Sequence, residues 1–420
     1  MRKADIVRLG VAGVFIVLCA AITVPTAQTF FRSFDRNGKS SVEKCLAKAR
    51  KAVADKFPER LAFVTLNGFF VRLLGQHLCN GVVKTRPHGM LLSPNGGGAK
   101  LKGAARRMKG FSDFCEKNGA AFLYVQLPRK LDTESRMIPP GVAERSNANA
   151  RKMMRFLKRN GVPHLDLRAD FTATPDDVKR NFYMTDHHWR NDAAFAAAGR
   201  LVPEIVSRCG VPEEEARKAS ELLSPGSWTR EVYPSCFLGS LGRRTGSLFS
   251  GLDDLTVYRP RFGTSMSIRI PSKRVFVKGT FEETNMRRAE EALSGAESFT
   301  TDAYSALYVG GIYPQTIHEN PQAPIRKRVL LIGDSFARPV EAFLSVAVEY
   351  LEAVDPRRTG RAFDLAEHVR RTKPDVVIQM INPSSLRADA MKGPKTGRAV
   401  MFEYGLGGKN RRTASPAAGR

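Results

Sequence analysis

The chain is short of the residues that usually hold metals or staple small domains. It has six cysteines in 420 residues, widely spaced and without a C-x-x-C pair, which argues against a zinc site. Five of them, Cys45, Cys79, Cys115, Cys209 and Cys236, lie beyond the N-terminal segment. An oxidising compartment allows one or two disulfides among them, and the odd count leaves a thiol unpaired within a monomer. Acidic residues are the second shortage: 41 Asp and Glu face 67 Lys and Arg, a net charge of +26. That field favours anionic partners and weakens with salt. No internal repeat is present, and a 42% hydrophobic content excludes a disordered chain.

Long apolar runs are also scarce, with one exception. Arg2, Lys3 and Arg8 precede an apolar stretch from Leu9 to about Val24, closed by Pro25. At about 16 residues it is near the lower limit for spanning a bilayer and long for a signal-peptide core. The leading cations keep the start in the cytoplasm and direct the rest outward. Residues 1–32 are therefore expected to be an uncleaved membrane anchor or a cleaved signal helix, with the working domain outside the cytoplasm either way. This location weakens the nucleic-acid reading of the charge. Anionic lipid headgroups and acidic surface polymers are the partners that remain, beside a generically solvated basic surface.

The pattern along the chain predicts an α/β fold. An exposed amphipathic helix is expected over residues 40–57. The run Ala120–Lys130, "AAFLYVQLPRK", reads as a buried parallel strand, and "SNANARKMMRFLKRNGVPHLDL" as helix, break and strand. A second series lies at "RKRVLLIGDSFARPVEAFLSVAVEYLEAVDPRR" and "AFDLAEHVRRTKPDVVIQMINPSS". These strands lack polar alternation, so a parallel sheet covered by helices on both faces is expected. Residues 33–222 and 324–400 would form the two parts of that domain. Between them, residues 223–323 alternate apolar with polar in "DDLTVYRP", "MSIRIP" and "KRVFVKG", which predicts a β-rich insertion or cap. Residues 401–420 read as a disordered basic tail.

Two segments carry chemistry. In "VLLIGDSFARPVEAF" a strand ends at Gly333 and a helix begins near Ser335, which places a hydroxyl at the C-terminal edge of a parallel strand. Unpaired N–H groups at a helix start suit a developing oxyanion. The competing reading is that Ser335 or Asp334 only caps the helix. In "TDHHW", if the stretch is extended, Asp186 and His188 share a face and His187 points away. A carboxylate there can hold Nδ1–H of His188 and leave Nε2 free to take a proton from a serine. A metal would want further ligands, for which Asp192 and His164 are the nearest possibilities, so no metal is expected. Trp189 reads as core or as a sugar-stacking platform. Arg357 follows a strand and reads as a binder of an acyl oxygen or acidic sugar, or as a salt bridge. Arg243 and Arg244 read as contacts to a polymer carboxylate or as surface residues.

"TDHHW" followed much later by "LLIGDSF" resembles the DHHW proteins and the alginate O-acetyltransferase proteins of the AlgX/AlgJ type, which have an SGNH-hydrolase-like domain. "FVRLLGQHLCNGVVK", "FLYVQLPRKLD", "SNANA", "LDLRADF", "GSLGRRTG", "VDPRR" and "KPDVVIQMIN" extend the resemblance over most of the chain beyond the N-terminus. The resemblance implies that Ser335, His188 and Asp186 form a triad. The pair precedes the serine, unlike in ordinary SGNH esterases. It also implies an oxyanion role for Asn382, although Pro383 stands where an aspartate is usual.

The function expected is an extracytoplasmic O-acetyltransferase that acts on a cell-surface or secreted polysaccharide, an acidic one included. It would need no cofactor and no nucleic acid. The resemblance further implies a membrane-embedded acyltransferase as acetyl donor. Two rival readings remain open: a secreted carbohydrate esterase, and a non-catalytic polysaccharide-binding or assembly protein.

Overall fold

The computed structural model describes residues 60–297, 303–359, 363–386 and 401–406. The expected anchor and the helix over 40–57 lie outside the described residues. Among those described, no helix is long and apolar enough to cross a membrane.

A small antiparallel sheet comes first: β1 (Leu78–Cys79), β2 (Val82–Lys84) and β3 (Leu91–Leu92). Ten strands follow: β4 (Ala121–Gln126), β5 (His164–Asp166), β6 (Trp228–Phe237), β7 (Asp253–Pro260), β8 (Met266–Ile270), β9 (Val275–Gly279), β10 (Gln315–Glu319), β11 (Ile325–Gly333), β12 (Val348–Val354) and β13 (Val376–Ile381). Eight of them form the central sheet in the order β5-β4-β13-β11-β12-β10-β8-β9. The pairings from β5 to β12 are parallel, and those from β12 through β10 and β8 to β9 are antiparallel.

The sheet is therefore mixed rather than wholly parallel. Two of the strands expected in a cap, β8 and β9, join it together with β10, which the pattern did not announce, while the third, β7, forms a separate ribbon with β6. The cause is local. A single turn, Pro271–Lys273, closed by Arg274 at φ +52°, joins β8 to β9, and so short a link permits only antiparallel pairing. Adding β10 and this hairpin beside β12 covers what would otherwise be an open, aggregation-prone edge. Outermost β9 alternates half-buried with exposed residues, as an edge strand should.

The period of two in the parallel strands sends alternate side chains to opposite faces. Leu123, Val125, Leu331 and Ile378 pack on one face with the helices Asn191–Cys209 and Ala337–Leu344. Phe122, Tyr124, Ile332 and Val377 pack on the other with Lys102–Lys117, Ser146–Arg159 and Leu365–Thr372. Residues 401–406, the start of the expected tail, are described, and residues 407–420 lie outside the described residues. Met401, Phe402 and Tyr404 are buried on this second face, where Tyr404 stacks on Phe111 at 4.1 Å and donates to Gln379 Oε1 at 2.8 Å. Aromatic burial outweighs the basic composition that follows. Cys79, Cys115 and Cys209 are free thiols. Because the central strands are parallel, the segments after β4, β11, β12 and β13 emerge at one edge. The candidate site lies there.

Candidate active site

The strand β11 ends in Gly333, where the chain turns so tightly that a Cβ would sit 2.6 Å from Ala337 Cβ. Asp334 governs this turn. Its Oδ1 accepts from Phe336 N–H (3.1 Å), and its Oδ2 accepts from Asn382 N–H (3.1 Å) and from Ser385 Oγ (3.2 Å). Asp334 thus braces the turn, while the helix that follows has Phe336 at its N-cap position and no side-chain cap. Ser335 Oγ is left facing His188 Nε2 at 2.7 Å.

The histidine comes from a loop closed by the bridge between Phe182 and Trp189. Residues 184–188 between them form bends rather than an extended strand, so the expected alternation does not apply. Asp186 instead makes an aspartate turn. Its Oδ1 accepts both the backbone N–H of His188 (2.9 Å) and the ring at Nδ1 (2.6 Å). Ser240 N–H donates to the other oxygen at 2.6 Å. A carboxylate only accepts, so Nδ1 carries the proton and the Nε2 lone pair faces the serine hydroxyl. Burial alone would raise the Asp186 carboxyl, but the adjacent imidazoles of His187 and His188, the His188 hydrogen bond and Ser240 N–H hold it well below the usual carboxylate range.

The His188 ring is fixed on its faces as well. Tyr304 stacks on it at 3.9 Å and 11°, and Phe336 and His187 lie at 4.9 and 3.7 Å. His187 is about half exposed, with Nδ1 3.0 Å from Ser240 Oγ. Its insertion among protein atoms, together with His188, pushes it down to about 3, so it is neutral near pH 7. The ligand atoms of Asp186, His187 and His188 lie within 4.8 Å of one another, which makes them the candidate metal-binding group among the described residues. The 2.6 Å separation of His188 Nδ1 and Asp186 Oδ1 is bridged by a proton, not by an ion with bonds of about 2 Å on each side. Asp192 and His164 stand elsewhere, Asp192 on Arg230 and Tyr258 and His164 on Val162 O.

A loop without ladder partners must satisfy its backbone by other means. Buried Lys130, just past β4, donates from Nζ to Tyr183 O (2.9 Å), Met184 O (3.0 Å) and Asp186 O. Asp253 accepts from Met184 N–H (2.6 Å), Thr185 N–H (2.7 Å) and Thr185 Oγ1 (2.6 Å). Gly239 N–H donates to Thr185 Oγ1 at 2.8 Å. A side chain at Gly239 would have its Cβ 2.3 Å from Asp186 Cβ, so the close approach requires glycine. Burial pulls the Lys130 ammonium down to about 7, against the opposing pull of Asp253 and Asp186. Sequence reasoning missed Lys130, Asp253, Tyr304 and the Gly239–Ser240 pair. Only the last had a visible signal, the small residues of "GSLG".

The other expected residues divide. Trp189 is fully buried and donates from Nε1 to Phe336 O (3.2 Å), so it has no free face for a sugar. Asn382 follows β13 and is buried. Its Nδ2 donates to Pro128 O (2.7 Å) and its Oδ1 caps Ser384 N–H (2.9 Å), which leaves one amide N–H for another partner. Arg357 closes on Asp355 through bonds of 2.9 and 2.7 Å, the salt-bridge alternative. Arg243 reaches back to Leu238 O at 3.5 Å. Arg244 bonds to Asn80 O (2.9 Å) and lines a cleft of about 340 Å³ with Arg129, Lys130, His187, Ser240 and Phe336. Among the described residues, no Asp or Glu lines that cleft.

Residues 87–229 match the family model described as the SGNH hydrolase-like domain of acetyltransferase AlgX. No curated protein matches the chain. Among solved structures, Bacillus cereus PatB1 with a sulfonyl adduct is 17% identical and aligns over 75% of this chain and 97% of its own, with a TM-score of 0.56. A DHHW family protein from Eubacterium siraeum is 16% identical over 74% of this chain and 93% of its own, at 0.53. The O-acetyltransferase domain of Pseudomonas putida AlgJ is 14% identical over 73% and 92%, at 0.43. At such identities the likeness to PatB1 and the DHHW protein is one of fold. Residues 87–229, which hold Asp186 and His188 but not Ser335, thus match the SGNH hydrolase-like acetyltransferase family of AlgX, and the described chain has the fold of PatB1 and the DHHW protein.

Proposed function

We propose that this protein is an extracytoplasmic, membrane-attached O-acetyltransferase that acetylates a cell-surface or secreted polysaccharide through a Ser335-His188-Asp186 triad. The observation that carries the proposal is the unbroken chain from Ser335 Oγ through His188 to Asp186, at 2.7 and 2.6 Å. The acetyltransferase description of the matching family model supports the reaction class.

In the first half-reaction His188 Nε2 takes the hydroxyl proton as Ser335 Oγ attacks the acetyl carbonyl of the donor. The imidazolium, steadied by the Asp186 carboxylate, then returns that proton to the departing donor group, leaving an acetyl ester on Ser335. In the second half, His188 deprotonates a sugar hydroxyl, which attacks the ester, and the imidazolium returns that proton to Ser335 Oγ as it leaves. The remaining amide N–H of Asn382 and the backbone N–H of Ser335 would be the donors to the developing oxyanion, since Phe336 N–H is bonded to Asp334; each such donor contributes about 3 kcal/mol. Arg244 at the cleft suits an acceptor that bears carboxylates, whereas Arg129, which also lines it, is paired with Glu144 at 3.2 Å. The donor is an acetyl group delivered by a membrane-embedded acyltransferase.

The test is incubation of the full chain with an acetyl-ester donor, with and without oligosaccharide. Acetylated sugar whose formation requires Ser335 supports the proposal. Release of free acetate at a rate indifferent to sugar would make the protein an esterase. Sugar binding without any turnover would make it a binding protein.

A further inference from the structure

The helix Arg60–Leu73 has two apolar sides, and among the described residues only one is packed. Its inner side packs against the short helices Gly242–Thr245 and Ser247–Ser250. The approach is close: a Cβ on Gly68 would fall 2.0 Å from Thr245 O, and one on Gly246 would fall 2.3 Å from Thr65 Cα. The opposite side presents Leu66, Phe69, Phe70 and Leu73, continued by Leu74, all between 41 and 71% exposed. Leu248 joins them beside Arg72, whose guanidinium donates to Leu248 O at 3.1 Å. Most of the large apolar side chains exposed among the described residues belong to this one face.

Downstream of Glu59 the charge along this stretch of chain has one sign. From Arg60 to Ser112 the chain contains no Asp or Glu and nine Lys and Arg. Upstream, the 35 residues Pro25–Glu59 separate this helix from the apolar run Leu9–Val24. An apolar stripe with arginines at both ends and no acid is the composition of a helix that lies in a bilayer interface, its guanidinium groups among anionic headgroups. A second copy would bring Arg60 and Arg72 against the same cations with no acid to meet them. Residues 40–57 are themselves net basic and meet the same objection.

We propose that this face is a membrane-docking surface, on which Leu66, Phe69, Phe70, Leu73 and Leu74 enter the acyl layer of a bilayer containing anionic phospholipid. The inference adds a second contact to the proposed membrane attachment and is independent of the acyl chemistry. Because the same helix carries Gly242–Thr245, docking holds the Arg244 rim of the cleft next to the membrane surface, where a membrane-embedded donor delivers its acyl group.

The two tryptophans, Trp189 and Trp228, are buried, so Phe70→Trp in the full chain adds a single exposed indole. Its emission should shift to the blue and be quenched by lipids brominated on the acyl chains, in phosphatidylcholine vesicles containing phosphatidylglycerol. Quenching should fall in phosphatidylcholine alone and on adding salt. A second substitution, Leu73→Asp, should abolish it. A vesicle-bound chain whose indole escapes bromolipid overturns the proposal, and equal quenching with and without phosphatidylglycerol overturns its anionic part. A blue shift without vesicles also overturns it, in favour of a second copy if the shift depends on concentration and of residues 1–59 if it does not.

Discussion

The narrowest contact in the candidate site lies between Gly239 and Asp186, and Gly239→Ala probes it with one methyl group. The new Cβ would stand 2.3 Å from Asp186 Cβ and 2.7 Å from its Cα and N, whereas ordinary contact begins at 3.4 Å. The 239–242 loop and the histidine loop must therefore part by about 1 Å, because carbon atoms repel steeply inside that distance. The first casualty is the 2.6 Å bond from Ser240 N–H to Asp186 Oδ2, which such a movement stretches beyond hydrogen-bond range. Asp186 then loses the donor that fixes its rotation, and His188 loses its aim at Ser335. A misplacement of this size costs about 100-fold in turnover. Overpacking should cost about 1–3 kcal/mol of stability. The assay is hydrolysis of a chromogenic acetyl ester alongside a thermal melt, with Gly226→Ala as control because its Cβ would meet nothing within 4 Å. A folded Gly239→Ala protein with wild-type turnover would refute the claim that Asp186 orientation governs the site.

Three further outcomes follow from the same geometry. Asp186→Asn keeps the shape but favours the wrong His188 tautomer, and should lower turnover about 10⁴-fold with a small change in melting; a loss under tenfold would count against the triad. His187 is pushed down to about 3 and is already neutral across the working range, so His187→Gln should leave the acid limb of the pH–rate profile in place. A displaced limb would contradict that. Lys130, lowered to about 7 from 10.5, releases its proton in the folded state before the unfolded one does. Between those values the unfolded chain binds more protons, so the stability of wild type relative to Lys130→Met should rise with pH, at up to about 1.4 kcal/mol per unit, and stay flat below about pH 7. Denaturant titrations of both proteins across pH 6–10 measure it, and a flat difference above pH 7 would sink the assignment.

The continuous apolar strands, whose alternate side chains serve two helical layers, were readable as an α/β sheet. Its antiparallel half was not. β8 and β9 carry the pattern of half-exposed strands, and nothing in that pattern says whether they cap a sheet or extend it, while β10 buries Thr316 and His318 and carries no apolar alternation at all. Asp186 and His188 were singled out by their spacing, but the premise was an extended strand, whereas an aspartate turn brings the two together. Lys130 was invisible for a physical reason. A buried lysine that donates to three carbonyls is defined by the backbone around it, and carbonyls leave no mark in a sequence. The burial of Trp189 and the closure of Arg357 on Asp355 were each one of two readings, because a tryptophan or an arginine at a strand edge has the same local sequence whether it packs inward or meets a ligand.

The central claim is that His188 activates Ser335, and a serine-directed fluorophosphonate or sulfonyl fluoride tests it at the atom concerned. Peptide mass analysis of the labelled full chain should place the adduct on Ser335, at a rate that collapses in His188→Ala and with no adduct in Ser335→Ala. An adduct elsewhere, or Ser335 labelling that proceeds unchanged without the imidazole, would contradict the account.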